Sequence, residues 1–304
     1  MKSMNKIYLI VNPHSGTKKY EAILSKVIPI YNDYNIESTL IKTEYPGHAK
    51  DLLRSCDYGD HDAVCAIGGD GTLNEIVNGM LARKDNQKLP IGLIPGGTGN
   101  SFMKTIDCLD PVDAVHRIAR NRSRSIDVMR VKASDALYYS LNLVGWGMAT
   151  DISIFAEKLR ILGGQRYNIS SIIEIIKNKK RIAKLIVDGK EIDDDFCFII
   201  ACNTKYVGKG MKMAPDASID DGLMDIIIVK KSSRLTLFSV FPKLFNGNHI
   251  YHPACEYVQS TSLASKEPYL AFGLFLKATK IIAGLRLKNT SKISTCLSIC
   301  LTIP

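Results

Sequence analysis

The chain has 304 residues, 46% of them apolar and 23% charged, with 40 Lys and Arg against 30 Asp and Glu. This length suits one large or two ordinary domains, and the composition excludes a disordered or fibrous protein. Eight cysteines without any C-x-x-C pair argue against a disulfide scaffold, a zinc site and a dithiol redox site.

Hydropathy and charge indicate where in the cell the protein acts. No stretch reaches the roughly 18 apolar residues that span a bilayer. The apolar run at residues 7–11 is too short for the core of a signal peptide and predicts a strand. We therefore expect a cytoplasmic protein. The net charge of +10 is typical of a chain with an anionic partner, such as a phosphorylated ligand or an acidic membrane face, but from charge alone a solvated basic surface is the simpler interpretation.

The first 130 residues alternate short apolar runs with stretches of helical periodicity. This alternation predicts βαβ units and a parallel sheet, in which ligands bind at the carboxyl ends of the strands. The predicted strands are residues 7–11, 36–41, 63–67 and 91–94, and the predicted helices are residues 20–27, 48–55, 73–81 and a stretch from about 101.

After residue 127 the pattern changes to strands joined by turns, with Asp188-Gly189 as a strong hairpin signal. We predict a mostly antiparallel β domain, with the division at residues 1–130 and 131–304 and an atypical segment from about 268. Its predicted strands are residues 137–144, 183–187, 196–202 and 224–229, and its predicted helices are residues 170–179 and 235–245.

The turn after the third strand reads Gly68-Gly69-Asp70-Gly71-Thr72 and opens a helix. Glycines there let backbone N–H groups approach a ligand closely, and the helix N-terminus adds partial positive charge, so the turn suits phosphate. A carboxylate repels phosphate unless it faces a divalent cation or an attacking hydroxyl. Asp70 therefore predicts metal-assisted phosphoryl transfer. A tight turn capped by aspartate is the alternative.

Two further turns have the same character. Residues 12–16 follow the first strand and read Asn-Pro-His-Ser-Gly, and residues 95–100 follow the fourth and read Pro-Gly-Gly-Thr-Gly-Asn. Three phosphate-compatible turns on one sheet edge are hard to explain as stability devices. The sequence has no G-x-x-x-x-G-K-[ST], which excludes a P-loop fold, and no G-x-G-x-x-G followed by an acidic ribose reader, which weakens dinucleotide oxidoreduction.

These turns resemble those of the diacylglycerol kinase catalytic domain family, which includes bacterial diacylglycerol kinases and eukaryotic sphingosine and ceramide kinases. A fourth block at residues 213–225 adds to the resemblance, with Met-Ala-Pro-Asp-Ala at its start and Asp-Gly-Leu-Met-Asp at its end. The Gly-Gly-Asp-Gly-Thr turn alone is shared with NAD kinases and distant phosphofructokinases. The four blocks together, in this order over residues 5–260, are specific.

The resemblance implies a two-domain α/β fold: an N-terminal Rossmann-like α/β domain of the NAD kinase and diacylglycerol kinase type, and a C-terminal β-sandwich, with ATP between them. It implies Mg²⁺ in the fourth block at Ser218, Asp221 and Leu223, the first and last through backbone carbonyls, although an acidic surface turn is the alternative. Asp70 is the candidate catalytic residue. By analogy, the contacts to ATP would be Asn12, Pro13, His14, Ser15, Gly16, Thr43, Gly69, Asp70, Gly71, Thr72, Leu73, Asn74, Glu75 and Thr98.

The sequence departs from the family at two places. Asn100 is followed by Ser101 where many members have aspartate, which, with residues 160–167, favours a sphingoid or ceramide-type acceptor slightly. The Asp-Gly-Glu motif that carries the proposed general base is absent, and residues 268–304 contain five Lys and Arg but no acid. Either the reading frame is disrupted there, or the segment is a divergent amphipathic lipid-docking element. If the segment is genuine, Asp70 is the best remaining candidate to orient the lipid hydroxyl.

We therefore predict a kinase that uses ATP and Mg²⁺ to phosphorylate a lipid hydroxyl, either of diacylglycerol or of a sphingoid or ceramide-type lipid. We expect peripheral association with the membrane surface and no nucleic-acid partner, and a homodimer stays open. Two alternatives remain: a catalytically impaired lipid- or nucleotide-binding relative, and a soluble-substrate kinase of the NAD kinase kind.

Overall fold

The computed structural model describes residues 4–16, 20–133, 136–179, 181–208, 210–266, 274–281 and 299–302. The chain divides into two compact units: Met1–Asp127 with Thr279–Pro304, and Val128–Ala278. The sequence placed the division near residue 130. Of the atypical segment that begins at about 268, residues 268–273, 282–298 and 303–304 lie outside the described residues.

The first unit alternates strands and helices. Its strands are β1 (Lys6–Val11), β2 (Glu37–Lys42), β3 (Ala63–Gly68) and β4 (Ile91–Pro95), and β5 (Ser123–Ala133) begins in it. Its helices are α1 (Tyr20–Asp33), α2 (His48–Ser55), α3 (Asp70–Leu81), α4 (Ser101–Thr105) and α5 (Pro111–Ala119). The stretch predicted as one helix from about 101 is therefore two helices, because Asp110 caps a new helix that has Pro111 at its first position.

The predicted parallel sheet is present in the order β4-β3-β1-β2. Every residue of β3 and β4 is buried, which explains why their sequences are continuous apolar runs rather than alternating ones. Val27 and Tyr31 of α1 and Val115 and Ile118 of α5 pack in one core cluster with β1 and β3. The four strands end at one edge, where the three glycine-bearing turns follow.

The second unit is built on antiparallel strands. They are β6 (Ala136–Ser140), β7 (Leu143–Gly147), β8 (Arg181–Val187), β9 (Lys190–Cys202), β10 (Met224–Lys230), β11 (Cys255–Ser260), β12 (Ser262–Lys266) and β13 (Leu274–Ile281). Its helices are α6 (Met148–Lys158), α7 (Arg166–Lys177) and α8 (Arg234–Val240), with 3₁₀ turns at Arg160–Gln165, Phe241–Phe245 and Asn248–Tyr251. The single strand predicted at 137–144 is thus two strands, and the predicted helix at 235–245 ends as a 3₁₀ turn.

Strand β9 organises this unit. Its first half pairs with β8 through the hairpin at Asp188-Gly189, and its second half pairs with β7 and β10. Both hairpin residues have positive φ, as the sequence pattern requires. Ile200 and Cys202 belong to a core cluster that also contains residues of α6, α7 and α8, so these helices cover one face of the sheet.

A last strand, β14 (Ile299–Thr302), pairs parallel to β4 and antiparallel to β5. The predicted second domain, 131–304, differs from the observed division at this point, because β14 clusters with the first unit through its strand pairing. None of the helices among the described residues is long and apolar enough to cross a bilayer.

Candidate functional site

The three glycine-bearing turns meet at the carboxyl edge of the parallel sheet. The N–H of Gly96 donates to the carbonyl of Gly68 over 2.8 Å. A Cβ on Gly97 would lie 2.5 Å from the Cα of Gly69, and a Cβ on Gly69 would lie 2.9 Å from the Cα of Gly97. The two backbones approach so closely that neither position has room for a side chain, so glycine is required on both sides of the contact.

The turn after β1 closes on the same place. Gly16 has φ +56°, and a Cβ on it would lie 2.4 Å from the carbonyl oxygen of Gly96. The hydroxyl of Ser15 donates to that carbonyl oxygen over 3.4 Å. The amide of Asn12 donates to the hydroxyl of Thr72 over 3.1 Å, which ties the first turn to α3. The structure therefore brings the predicted residues of all three turns together.

The carboxylate of Asp70 caps the neighbouring helix. Its two oxygens accept the backbone N–H groups of Ser101 and Phe102, at 2.8 and 3.0 Å. These are the first N–H groups of α4, which enters from Asn100 in the left-handed conformation. An anion at a helix N-terminus is favourable, so α4 provides a partner for a carboxylate that would otherwise lie close to a phosphate-binding turn. The sequence predicts a metal ion or an attacking hydroxyl as this partner, with a turn capped by aspartate as the alternative; the contact with α4 lies outside the turn itself.

The N-terminus of α3 is left open by this arrangement. Gly69 is its N-cap, and no side chain of the described residues bonds to the cap. Gly71 is exposed, and a Cβ on it would meet nothing within 4 Å. Unpaired N–H groups and the positive end of the helix dipole make this terminus suitable for an anion such as phosphate.

The other predicted nucleotide contacts have mixed surroundings. Glu75 accepts the N–H of Gly47 at 3.0 Å, and so holds the turn that follows Thr43. Thr43 itself is only 7% exposed, whereas Thr98 and Asn74 are exposed. Leu73 is 1% exposed and belongs to the core, so only its backbone is available to a ligand. Pro13 is half-buried, and His14 is exposed and donates its N–H to the side chain of Asn12.

A cavity of about 280 Å³ lies beside this edge, and the sequence patterns did not identify it. It borders the Gly96 and Gly97 backbone and is lined by residues of α1 and of the start of α5, among them Lys26 and Asp110. These residues are far apart in the chain and belong to no motif, so only the fold could reveal them.

The fourth block is a compact loop in the second unit. The hydroxyl of Ser218 donates to Asp220 over 2.9 Å, and one oxygen of Asp221 accepts the N–H of Leu223 at 2.9 Å. Asp221 is exposed, and no group of three His, Cys, Asp or Glu side chains among the described residues could hold a metal ion. The oxygens present still fit Mg²⁺, which keeps several waters and needs only one or two carboxylates.

Asp225 ends the fourth block and is fully buried. One oxygen accepts from the hydroxyl of Tyr257 and from the amide of Gln259. The other oxygen has no hydrogen-bond partner among the described residues. Burial raises the pKa of Asp225, the bonds from Tyr257 and Gln259 oppose this, and the charges of Asp221 and Asp216 raise it further. The local field is thus negative, which is a second feature that would favour a cation nearby.

The sequence places Gly97 and Asn100 in a phosphate-compatible turn, but it does not show how they hold that turn, and it assigns no contact to Ser101. Asn100 bonds Gly97 through both its amide oxygen and its amide nitrogen, at 3.0 Å each, and so fixes the third turn. Ser101 contributes its backbone N–H to Asp70. The left-handed conformation of Asn100 is favourable for that residue type, and this preference was the available signal.

Two protein-family models match the chain, one for each half. The model described as the diacylglycerol kinase catalytic domain matches residues 6–131. The model described as the YegS C-terminal NAD kinase beta sandwich-like domain matches residues 142–273. The predicted two-domain α/β fold with a C-terminal β-sandwich is confirmed.

Several curated relatives that match this chain are named sphingosine kinase or diacylglycerol kinase. Sphingosine kinase 1 of Arabidopsis thaliana is 29% identical over 305 residues, which cover 84% of this chain and 62% of that protein. Diacylglycerol kinase of Bacillus subtilis is 29% identical over 251 residues, which cover 81% of each. This chain spans about three fifths of the length of the plant sphingosine kinases that it matches.

The fold is also found in solved structures. A crystal structure of a diacylglycerol kinase from Bacillus anthracis superposes with a TM-score of 0.69 at 21% identity, and covers 91% of this chain and 95% of that one. At this identity the similarity establishes the shared fold.

Proposed function

Because the diacylglycerol kinase catalytic domain model matches residues 6–131, and curated relatives are named sphingosine kinase and diacylglycerol kinase, we propose that this chain is a lipid kinase that uses ATP and Mg²⁺. The acceptor would be the hydroxyl of diacylglycerol or of a sphingoid or ceramide-type lipid. Its oxygen would form a bond to the γ-phosphorus as the bond to the β-phosphate oxygen breaks, and the hydroxyl proton would leave to a base or to water.

One observation carries this proposal: the backbone contact between Gly69 and Gly97, beside the uncapped N-terminus of α3. Phosphoryl transfer depends on positioning and on neutralisation of charge more than on a strong base. Fixed backbone N–H groups supply both without reorganisation during the reaction. We assign the cradle for the phosphates to Gly69, Gly71 and Thr72.

The remaining nucleotide contacts are assigned around this cradle. Asn12 and Ser15 would contact nucleotide oxygens from the turn after β1, and Thr98 would do so from the turn after β4. Thr98 is exposed, and Asn12 and Ser15 are half-buried, so all three can be reached by a ligand.

The metal assignment rests on the oxygens of the fourth block. Ser218, Asp221 and Leu223 would hold Mg²⁺, which, when bound, neutralises negative charge. The exposed Asp221 has one oxygen engaged with Leu223, and we assign its other oxygen to the ion.

Asp70 is assigned a positioning role. Because both of its oxygens accept N–H groups of α4, the carboxylate fixes the turn after β4 against the turn after β3. The proton of the acceptor hydroxyl would then leave late and to a weak base, which this reaction tolerates.

A catalytically impaired binding protein is the second candidate, because the sequence lacks Asp-Gly-Glu. ATP binding does not separate the two candidates, since both would bind it. A kinase of the NAD kinase kind is disfavoured because curated relatives that match most of the chain are named sphingosine kinase and diacylglycerol kinase.

The test is transfer of labelled γ-phosphate from ATP to diacylglycerol, sphingosine, ceramide and monoacylglycerol in mixed micelles, with NAD as a soluble acceptor and with and without Mg²⁺. Label on one lipid, lost in Asp70→Asn and without Mg²⁺, supports the proposal and names the acceptor. Label on NAD alone, or on no acceptor while ATP still binds, contradicts it.

Association with the membrane surface and a homodimer are further parts of this proposal. Partition onto lipid vesicles would test the first, and sedimentation equilibrium of the full chain would test the second.

A further inference from the structure

Helix α7 exposes a stripe of apolar side chains and buries several polar ones, although Ile175 on its inner side belongs to the core. Ser170, Ser171 and Glu174 are buried, with Glu174 only 4% exposed. Ile169, Ile172 and Ile176 are exposed. These isoleucines are spaced by three and four residues, so they form one stripe along the helix. A surface helix in water normally shows the opposite arrangement.

Further exposed apolar side chains lie on the segments that contact α7. Ile161 is 94% exposed and lies in the 3₁₀ turn before α7. Leu235 of α8 is 83% exposed, and Phe238, three residues later, is also exposed. The side chain of Arg234 donates to the carbonyl of Ile176 over 2.6 Å, which joins the start of α8 to the end of α7. We call this set of residues the isoleucine face: Ile161, Ile169, Ile172, Ile176, Leu235 and Phe238.

Basic residues surround the isoleucine face. Residues 148–181 and 230–245 contain eleven Lys and Arg and three acids, a surplus of eight in a chain whose net charge is +10. Each of the three acids is already in an ion pair: Asp151 with Arg181, Glu157 with Arg166, and Glu174 with Lys177. Lys230 also pairs with Asp194 outside these ranges, whereas Lys158, Arg234 and Lys243 are exposed.

An apolar stripe with a basic border matches one kind of partner better than others. Apolar side chains enter the boundary between lipid headgroups and acyl chains, while Lys and Arg stay at the level of anionic headgroups. A protein partner would not need so large a surplus of one charge. Isolated exposed apolar residues are ordinary on protein surfaces, but a stripe of exposed isoleucines on a helix that buries serine and glutamate is not.

We propose that the isoleucine face docks the protein on an anionic phospholipid bilayer. This inference rests on the proposed function, because a lipid acceptor lies in such a bilayer. The isoleucine face would be the side of the enzyme that contacts the bilayer. Docking is reversible, since it uses partial insertion of a few side chains and has no spanning helix among the described residues.

The test is co-sedimentation of the full chain with phosphatidylcholine vesicles that contain about 30 mol% phosphatidylglycerol, compared with phosphatidylcholine alone. Ile161→Asn/Leu235→Asn should lower the partition coefficient at least about tenfold. Lys158→Gln/Lys243→Gln should lower binding only to the anionic vesicles, and about 0.5 M NaCl should have the same effect. Neither pair is buried, so folding should survive.

The matched control is Leu109→Asn/Leu137→Asn, because these leucines are about half exposed and lie outside the isoleucine face. The control should bind vesicles as the wild type does. Equal binding by the wild type and Ile161→Asn/Leu235→Asn would overturn the proposal. So would a wild type that binds no vesicle but forms a dimer that this variant disrupts, since a second copy would then cover the face.

The mixed-micelle assay keeps this test separate from that of the kinase. A dispersed lipid needs no docking, so Ile161→Asn/Leu235→Asn should keep its activity on micelles and lose it on vesicles. If no lipid is phosphorylated in any form but vesicle binding still depends on the face, docking stands and the proposed function fails.

Discussion

The three glycine-bearing turns at the carboxyl edge of the parallel sheet, here called the glycine edge, lie in the first unit, and the isoleucine face lies in the second. The two regions use polar groups in opposite ways. At the glycine edge, polar side chains hydrogen-bond to the backbone and so fix the loops: Asp70 caps α4, Glu75 accepts from Gly47, and Asn100 bonds Gly97. What remains for a ligand is mainly backbone. At the face, three polar residues of α7 are buried and three of its five isoleucines are exposed.

The difference concerns how each region can bind. A site of fixed backbone donors acts by preorganisation, so its tolerance for substitution is set by steric room. A face of exposed side chains acts by its summed apolar area and charge, so each residue contributes a share and none is decisive. Single substitutions should therefore be severe at the edge and mild on the second unit.

The strongest test is Gly97→Ala. The new Cβ would lie 2.5 Å from the Cα of Gly69, and neither backbone can move without breaking the sheet edge. We expect a loss of about 2–3 kcal/mol in the free energy of unfolding, the upper range for overpacking, and loss of kinase activity. Urea denaturation followed by circular dichroism measures the first.

Gly71→Ala is its matched control for stability, because the added Cβ meets nothing within 4 Å and φ is not positive. Alanine is also the better helix former. Unfolding at the wild-type urea concentration or above is expected. Equal destabilisation by Gly71→Ala and Gly97→Ala would mean that close packing is not what requires these glycines.

Asp70→Asn should have the next largest effect. One of the two bonds to α4 would face an amide N–H₂ instead of an oxygen, and an N–H of Ser101 or Phe102 would lose its acceptor. We expect a cost of about 1–2 kcal/mol in unfolding free energy. Activity should fall as well, with an unchanged pH dependence of the residual rate.

This second readout separates positioning from proton transfer. If Asp70 acted only as the base for the acceptor hydroxyl, the variant would keep wild-type stability and its pH–rate profile would lose the acidic limb. That result would contradict the role assigned here.

The sequence predicted the elements of the edge well, because buried parallel strands and their glycine turns are local patterns. It also predicted the turn at Asp188-Gly189 from the needs of positive φ. It could not predict what Asp70 contacts, since Ser101 and Phe102 are about thirty residues further on and contribute backbone groups. Backbone partners have no residue type, so no sequence pattern marks them.

The isoleucine face shows a different limit. The periodicity at residues 170–179 predicted α7, but an amphipathic pattern is normally taken to bury its apolar stripe. The orientation of α7 about its axis depends on which side of the helix packs against the sheet, and that packing is a tertiary property. The strand division at 141–142 and the return of β14 to the first unit are of the same kind.

A smaller change in unfolding free energy tests the buried polar side chains of α7. The buried hydroxyl of Ser170 has no hydrogen-bond partner among the described residues, whereas that of Ser171 donates to the carbonyl of Tyr167 over 2.8 Å. Ser170→Ala should therefore raise the unfolding free energy by about 1 kcal/mol, and Ser171→Ala should leave it unchanged or lower. Destabilisation by Ser170→Ala would indicate that this hydroxyl has a polar partner.

The last effect that we predict concerns the pH dependence of stability and lies in the second unit. His249 is fully buried, and its Nε2 lies 2.9 Å from the carbonyl oxygen of Met213. Burial lowers the pKa of His249, and bonds to the carbonyls of Met213 and Lys243 oppose this only in part. The unfolded chain therefore binds this proton more readily than the folded one, so the stability that neutral His249 contributes is present above about pH 6.5 and is lost as pH falls below it. Between pH 7.5 and 5.5 we expect the wild-type unfolding free energy to fall more than that of His249→Gln, by no more than the roughly 1.4 kcal/mol per pH unit that one linked proton supplies. Parallel curves for the two proteins would show that His249 is not the group that responds, whereas a steeper curve for the wild type locates acid sensitivity in the second unit rather than at the glycine edge.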